Sequence, residues 1–145
     1  MIHNCLFNNQ FNRSDCIVCI GGGLLGDMVG FSASTYKRGI EFINVPTTVL
    51  AMVDSSIGSK TGINNQNGKN MIGAFYDPFL IINCIDFINT LTIRDIRNGF
   101  SEIIKISVVF DKTLFDILDS NSLTEIISNR ELLLDIIKRS QLIKI

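Results

Sequence analysis

The chain has no marked excess of charge and no long apolar run. Its 145 residues contain 13 lysines and arginines and 14 aspartates and glutamates, which gives a net charge of −1. A chain this close to neutral has no general electrostatic attraction to nucleic acid or to an anionic membrane. Its uncharged apolar runs also fall far short of the roughly 20 residues that a membrane-spanning helix needs. We therefore expect a protein that binds neither nucleic acid nor a membrane.

The chain also lacks the marks of a secreted protein. Its first ten residues, MIHNCLFNNQ, have neither the basic start nor the apolar core of a signal peptide. The four cysteines are scattered, which favours reduced thiols in a cytoplasmic protein. Cys16 and Cys19 suggest a redox or metal pair, but residues three apart on a strand point to opposite faces. Two buried thiols are the alternative interpretation of this pair.

The first half of the chain predicts an α/β domain. Its strands and helices alternate, which is the signature of a parallel sheet with right-handed crossovers. Pro46 ends the second strand, and Thr47 is then the expected N-cap of a short helix. Residues 1–12 have no pattern that predicts an element. The predicted strands cover 15–20, 41–45 and 79–83, and the predicted helices cover 24–36 and 48–53.

After residue 90 the pattern becomes helical. Thr92 and Asp95 are spaced as in a capping box, which would open a helix that continues to about Phe110. Amphipathic helices are predicted over 111–118 and 130–145. Gly99 costs the first of these helices about 1 kcal/mol relative to alanine, so we expect another element to pack closely there. We place a domain boundary near residue 91, between an α/β domain over 1–90 and the start of an all-helical domain over 91–145.

Residues 54–76 predict a binding loop. The segment has neither strand alternation nor a helical apolar stripe, and glycine, serine and asparagine recur through it. Long irregular stretches inside compact domains are uncommon and usually functional. Between Tyr36 and Asn70 cations outnumber acids, which suits an anionic small molecule but also an ordinary solvated surface. The four cations are Lys37, Arg38, Lys60 and Lys69.

Three glycines match a phosphate-binding pattern. Gly21, Gly23 and Gly26 fit G-x-G-x-x-G between a predicted strand and helix, where backbone N–H groups can hold a pyrophosphate. A tight strand-to-helix turn is the other interpretation. The dinucleotide fingerprint expects an acid about 20 residues further on, and the segment 44–48 has none. A nucleotide would therefore be held in a different variant of the α/β fold.

Three further charged residues each allow two interpretations. Glu102 and Lys105 are three residues apart on a predicted helix. Either they form a surface ion pair, or Glu102 is a metal ligand and Lys105 contacts an anion. Arg38 beside Gly39 is either a favourable cation at a helix C-terminus or a phosphate contact.

Taken together, four segments resemble the 3-dehydroquinate synthase family of sugar-phosphate cyclases. The resemblance runs from about Asp15 to Phe110 and continues more weakly to the last residue. Several unusual polar loops match in order and at the family's spacing. The segments are GGGLLGDMVGFSASTYKRG (21–39), INVPTTVLAMVDSSIGSKTGIN (43–64), GKNMIGAFYDP (68–78) and NGFSEIIK (98–105).

The resemblance implies a nucleotide-binding α/β domain followed by a helical domain, and a carbon–oxygen lyase of the shikimate pathway. Such an enzyme converts 3-deoxy-arabino-heptulosonate 7-phosphate to 3-dehydroquinate and phosphate, with NAD and a divalent metal, zinc or cobalt. The substrate is an anionic sugar phosphate, and the full-length protein would be a homodimer. Another sugar-phosphate cyclase and a non-catalytic nucleotide-binding remnant are the alternatives.

The resemblance also assigns roles to residues. It implies that Glu102 is a metal ligand and that Arg38 reaches the phosphate across a dimer interface. The residues implied to bind the substrate or act on it are Asp54, Lys60, Asn70, Lys105 and Arg38. Those implied to bind NAD are Gly23, Leu24, Leu25, Gly26, Asp27, Thr47, Thr48, Asp54, Lys60, Lys69, Phe87, Ile88, Asn89 and Thr90.

The chain departs from the family in two ways. Ser59 replaces a usual glycine beside Lys60, and its Cβ would strain the loop if that position needs a positive φ. The family's metal site also needs two histidines downstream of Glu102, whereas the single histidine here is His3. A catalytic metal ordinarily keeps three protein ligands. We therefore expect a central fragment of such an enzyme, without the family's N-terminal strands and inactive by itself.

Overall fold

The computed structural model describes all 145 residues. It contains two sheets and six α-helices, joined by short 3₁₀ and π turns. In chain order the regular elements are α1 (Ile2–Asn8), β1 (Cys16–Gly21), α2 (Gly23–Thr35), β2 (Glu41–Pro46), β3 (Lys60–Asn65), β4 (Gly68–Phe75), β5 (Leu80–Ile81), α3 (Ile93–Phe110), α4 (Lys112–Ser120), α5 (Leu123–Ser128) and α6 (Arg130–Lys144).

The predicted parallel sheet is confirmed. Its strand order is β1-β2-β5, and both neighbouring pairs run parallel. Helix α2 packs on one face of this sheet, where Cys19 and Phe42 contact apolar side chains of the helix. Strands β1 and β2 lie within one residue of the predicted ranges, whereas β5 has only two residues and is shorter than the strand predicted over 79–83.

The cysteines do not form a pair. All four are free thiols. Cys19 is buried on the face that packs against α2, whereas Cys16 is only half-buried, so one of the two expected buried thiols is partly accessible. Burial raises the pKa of Cys19 to about 11, which keeps that thiol protonated and unreactive.

The prediction of an irregular loop over 54–76 is wrong for residues 60–75. These residues form an antiparallel hairpin, β3 and β4, in which Gly62 lies opposite Gly73. The two backbones approach so closely that a Cβ at Gly73 would lie 2.3 Å from the Thr61 carbonyl oxygen. Most of β4 is exposed, so neither face imposes the alternation by which half-buried strands are recognised.

The short segment after Pro46 is also capped differently from the prediction. The side chain of Thr48, not that of Thr47, accepts a hydrogen bond from the Ala51 N–H at 3.2 Å. The following residues Ala51–Ser55 form a π turn, in which the Ser56 N–H donates to the Ala51 carbonyl at 3.0 Å. Such turns carry one extra residue and often occur at functional sites.

Helices α3–α6 share a second apolar core. The Thr92 side chain accepts from the Asp95 N–H at 3.2 Å, so the predicted start of α3 is confirmed. The core also contains Met52, Val53 and Ile85 from segments before residue 91. Because residues from both sides of residue 91 share this core, the predicted domain boundary near residue 91 stays a prediction.

Two short helices were not predicted. Helix α1 has seven residues, of which only Leu6 is buried, so it has no apolar stripe. Helix α5 begins with a capping box between Ser122 and Glu125, a pattern that is readable in the sequence. None of the helices is both long enough and apolar enough to cross a membrane.

The close packing expected at Gly99 is confirmed. A Cβ at this position would lie 2.4 Å from the Val49 Cβ and 2.6 Å from the Leu50 backbone nitrogen. Gly99 thus lets α3 pack directly against the segment that leads into the π turn.

We predict that Gly99→Ala destabilises the chain by about 1–3 kcal/mol, because the added methyl group overpacks a contact with backbone. At an unconstrained helix position the same change would stabilise by about 0.5–1 kcal/mol. Chemical denaturation measures the free energy of unfolding. Ser101→Ala on the exposed side of α3 is the control, expected to change stability by less than about 0.5 kcal/mol. A stabilising Gly99→Ala would contradict the close contact.

Candidate functional site

The main cavity of the molecule lies between α2, the π turn, the hairpin and the last turn of α6. Its volume is about 780 Å³. Acidic, basic and amide side chains line it together with the small residues of the loop 55–59. The charged and amide members are Asp27, Asp54, Lys60, Asn70 and Lys144.

Asp54 lies near the end of the π turn and faces the cavity. Lys144 of α6 donates to both its carboxylate and its backbone carbonyl oxygen. The Lys144 side chain is 32% exposed and that of Asp54 38%, so this pair sits at the cavity wall rather than on the open surface. No local motif in the sequence signals Lys144, because its contact with Asp54 joins residues 90 positions apart.

Asp27 on α2 is the second carboxylate of the cavity. Burial raises the pKa of Asp27, and the charge of Asp54 raises it further, while Lys144 acts in the opposite direction. Asp54 and Lys144 therefore both act on Asp27. A carboxyl group whose pKa is perturbed by burial and by neighbouring charges in a cleft is typical of functional sites.

The first turn of α2 has free backbone donors beside the cavity. The N–H groups of Gly23 and Leu24 have no intrahelical partner, since the first bonds of the helix run from Leu25 and Gly26 to the Gly22 carbonyl. A Cβ at Gly23 would lie 2.5 Å from the Ser55 Oγ, so glycine alone leaves this space open. The Ser55 Oγ is itself buried without a hydrogen-bond partner.

These features fit a phosphate group of a nucleotide. Unpaired N–H groups at a helix start and a free hydroxyl together form an anion-binding surface. Thr48 packs beside the glycine turn, with its methyl group 3.4 Å from the position of a Cβ on Gly22. The Thr47 N–H donates to the Gly21 carbonyl at 2.9 Å. The structure thus brings residues 21–27 and both threonines to one edge of the sheet.

The hairpin brings Lys60 and Asn70 to the same cavity. Asn70 has a φ of +52°, and its N–H donates to the Asn64 side chain at 2.9 Å. Lys69, the neighbouring predicted residue, is exposed and does not line the cavity.

The expected strain at Ser59 does not occur. Gly58 takes the positive φ of this loop, +98°, while Ser59 is not among the residues with positive φ. Ser59 therefore lines the cavity with a hydroxyl group and leaves the placement of Lys60 unstrained.

Glu102 and Lys105 form the ion pair that their helical spacing predicts. Lys105 donates to the Glu102 carboxylate, and this bond raises the pKa of Lys105, with a smaller contribution from Asp54. Neither residue lines the cavity.

The residues of this chain do not by themselves form a metal site. No group of three or more histidine, cysteine, aspartate or glutamate side chains is placed to hold a metal. The Nε2 of His3 lies 3.0 Å from both the Ser32 carbonyl and the Thr35 hydroxyl, on the far end of α2. The assignment of Glu102 as a metal ligand stays a prediction.

Two groups of predicted residues lie outside the cavity. Arg38 is exposed in a turn where it and Lys37 have φ values of +68° and +47°. Residues 87–90 form part of a 3₁₀ turn, and Ile88 is only 1% exposed within the helical core. The Ile88 side chain is therefore not available to a ligand.

Comparison with known proteins shows which amino-acid sequences this chain is similar to. Residues 1–98 match the family model for the 3-dehydroquinate synthase N-terminal region. The 3-dehydroquinate synthase of Prochlorococcus marinus is 48% identical over 99% of this chain and 40% of its own length. That of Pelagibacter ubique is 50% identical over 83% of this chain and 33% of its own length. The chain thus spans about two fifths or less of the length of these relatives.

Solved structures of related cyclases share the fold. One is the 2-epi-5-epi-valiolone synthase of Streptomyces hygroscopicus with NAD⁺ and Zn²⁺ bound, which superposes with a TM-score of 0.92 at 33% sequence identity. The match covers 98% of this chain and 40% of the length of the synthase. Another is a 2-deoxy-scyllo-inosose synthase complexed with carbaglucose-6-phosphate, NAD⁺ and Co²⁺, which superposes with a TM-score of 0.89 at 26% sequence identity. The match covers 99% of this chain and 39% of the length of that synthase.

We predict that Asp27→Asn stabilises the chain at neutral pH. Since the folded-state pKa of Asp27 lies above its unfolded value, ionising this carboxyl costs stability. Below the ordinary pKa of 3.8 the carboxyl is protonated in both states and the cost disappears. The advantage of the variant should therefore appear as the pH rises through the raised pKa.

Thermal unfolding of both proteins across this pH range measures the difference. Asp119→Asn, which removes an exposed carboxyl of α4, is the control and should show no such trend. An Asp27→Asn variant that is less stable than the parent at neutral pH would contradict the raised pKa.

Proposed function

Because the chain belongs to the 3-dehydroquinate synthase family, we propose that it forms the cofactor- and substrate-binding part of an enzyme that makes 3-dehydroquinate. The substrate would be 3-deoxy-arabino-heptulosonate 7-phosphate and the second product phosphate. One observation carries the proposal. A single cavity brings two carboxylates and two lysines together, and its lining residue Ser55 lies beside Gly23 at the free helix start of α2.

NAD would lie along the first turn of α2. The backbone N–H groups of Gly23 and Leu24 and the Ser55 hydroxyl are free to hold its pyrophosphate. Thr47 and Thr48 flank this turn on the side of β2. When bound, NAD supplies a transient oxidation of a substrate alcohol that makes the adjacent proton acidic.

The sugar phosphate would occupy the part of the cavity bounded by the hairpin and α6. Lys60 and Lys144 supply positive charge for its carboxylate and phosphate oxygens, and Asn70 supplies an amide. The Asp54 carboxylate accepts from Lys144 and is in position to accept also from substrate hydroxyls. Asp54 thereby orients both the lysine and the sugar.

Other predicted roles depend on parts outside this cavity. Arg38 is exposed, has no ion-pair partner and does not line the cavity, which supports a phosphate contact made in a second copy of the chain. Glu102 is the residue of this chain that we propose as a metal ligand, and it needs ligands from elsewhere. The near-neutral charge gives no general attraction to nucleic acid or to an anionic membrane, and the four free thiols support a cytoplasmic enzyme.

A second candidate is another sugar-phosphate cyclase. The high TM-score with the valiolone synthase favours it, whereas the 46–50% identities to 3-dehydroquinate synthases favour the first. Binding of the heptulosonate phosphate in preference to carbaglucose 6-phosphate, the ligand in the inosose synthase structure, would favour the first candidate over the second.

We predict that the 145-residue chain binds NAD and that Gly23→Ala weakens this binding at least tenfold. The added methyl group would enter the space between the helix start and the Ser55 Oγ, 2.5 Å from that oxygen. Titration calorimetry measures the affinity, and Ser101→Ala on α3 is the control. Absence of NAD binding by the parent chain would contradict the proposed cofactor site.

For the sugar phosphate, we predict that Lys60→Ala and Lys144→Ala each weaken binding by about 10- to 100-fold, the range for one charge-assisted hydrogen bond. Lys112→Ala is the matched control, because this lysine pairs with Asp116 on the surface of α4. Titration of each variant with the heptulosonate phosphate measures the change. An equal loss in the control would show that general charge, not the cavity, binds the ligand.

A further inference from the structure

A side chain of the last helix contacts the backbone of the π turn at the cavity. The Gln141 Nε2 donates to the Met52 carbonyl oxygen at 2.8 Å, across 89 positions of sequence. Gln141 is half-buried and lies one helical turn before Lys144, on the same face of α6. Two consecutive turns of α6 therefore hold carbonyl groups at Met52 and Asp54.

The π turn needs such a contact because of its backbone pattern. The Ser56 N–H bonds to the Ala51 carbonyl, five residues back, so the ladder of the helix is interrupted here. Carbonyl groups of an interrupted ladder need partners from side chains or water when they are buried. The side-chain amide of Gln141 supplies this hydrogen-bond partner for the Met52 carbonyl group.

The two sides of this turn are held in different ways. Met52 and Val53 are 0% and 1% exposed, and they pack in the core with Ile136 and Ile137 of α6. Asp54 follows at once and faces the cavity. Apolar packing sets the depth of the turn but is non-directional, whereas a hydrogen bond to a specific carbonyl sets its rotation.

We propose that Gln141 is a positioning residue, which acts through the Met52 carbonyl to set the orientation of the Asp54 carboxylate in the cavity. Gln141 does not line the cavity, so its effect on a ligand is indirect. A side chain that merely stabilises the fold would lower the melting temperature and leave the surroundings of Asp54 unchanged. The two roles therefore differ in a measurable way.

The test uses the full 145-residue chain with three substitutions. Gln141→Met removes the donor and keeps the length of the side chain. Gln141→Glu keeps the shape but, when ionised, cannot donate. Asn121→Leu is the matched control, because the Asn121 side-chain amide donates to the Ile117 carbonyl at 2.8 Å, away from the cavity.

The first measurement is the carboxyl-carbon NMR resonance of Asp54 and Asp27 in the protein without ligands. We expect both Gln141 variants to shift the Asp54 resonance and the pH midpoint of Asp27, whereas Asn121→Leu lowers the melting temperature alone. Unchanged resonances in both Gln141 variants, together with a lower melting temperature, would overturn the proposal.

The second measurement is the affinity for NAD, and this part rests on the proposed function. We expect the Gln141 variants to bind NAD about three- to tenfold more weakly, the effect of one side-chain hydrogen bond. Affinities equal to those of the parent and of Asn121→Leu would count against the positioning role. If the parent chain binds no NAD, the proposed cofactor site is wrong. The carboxyl resonances by themselves then test the positioning role of Gln141.

Discussion

The π turn Ala51–Ser55 is the constraint on which the rest of the structure depends. Its apolar residues lie in the core of α3–α6, and its acidic residue lies in the cavity. Gly99 lets α3 approach the segment before the turn, where a single added carbon would overlap Val49. The helical part and the ligand cavity therefore cannot be displaced independently, since a movement of either one moves the same five residues.

The cavity combines a fixed dipole with charges that compensate one another. The unpaired N–H groups at the start of α2 lie beside the lining residue Ser55, and Lys60 and Lys144 line the cavity directly. Asp54 and Asp27 offset these cations, so the cavity has little net charge of its own. An arriving anion can pair directly with Lys60, which has no carboxylate partner, whereas at Lys144 it competes with Asp54. Burial raises the pKa of Asp27 and the charge of Asp54 raises it further, so keeping this carboxylate at the cavity has a cost that folding alone would not select.

The elements that were predictable from the sequence are those whose burial produces a pattern. Strand β2 is largely buried by the parallel sheet, and α3 has an apolar stripe because one face contacts the core. Strand β1 is recognisable as a continuous apolar run, although Val18 and Ile20 are more than half exposed. The hairpin has no such pattern, since β4 is exposed along most of its length and its pairing depends on Gly62 and Gly73. Helix α1 is too short to show a stripe, whereas the capping box of α5 was present and readable.

In the candidate site, too, the predictable residues are those that share a recognisable pattern in the sequence. Asp54, Lys60 and Asn70 lie within one polar segment, so composition and motif spacing single them out together. Lys144 and Gln141 reach the site from α6, and in the sequence they are ordinary polar residues of an amphipathic helix. Their importance arises only when the apolar face of α6 packs against Met52 and Val53, which turns the polar edge of the helix toward the cavity. Residues that hold a site in place across a long sequence separation carry no local signal, because the packing of the core, and not a motif, brings them there.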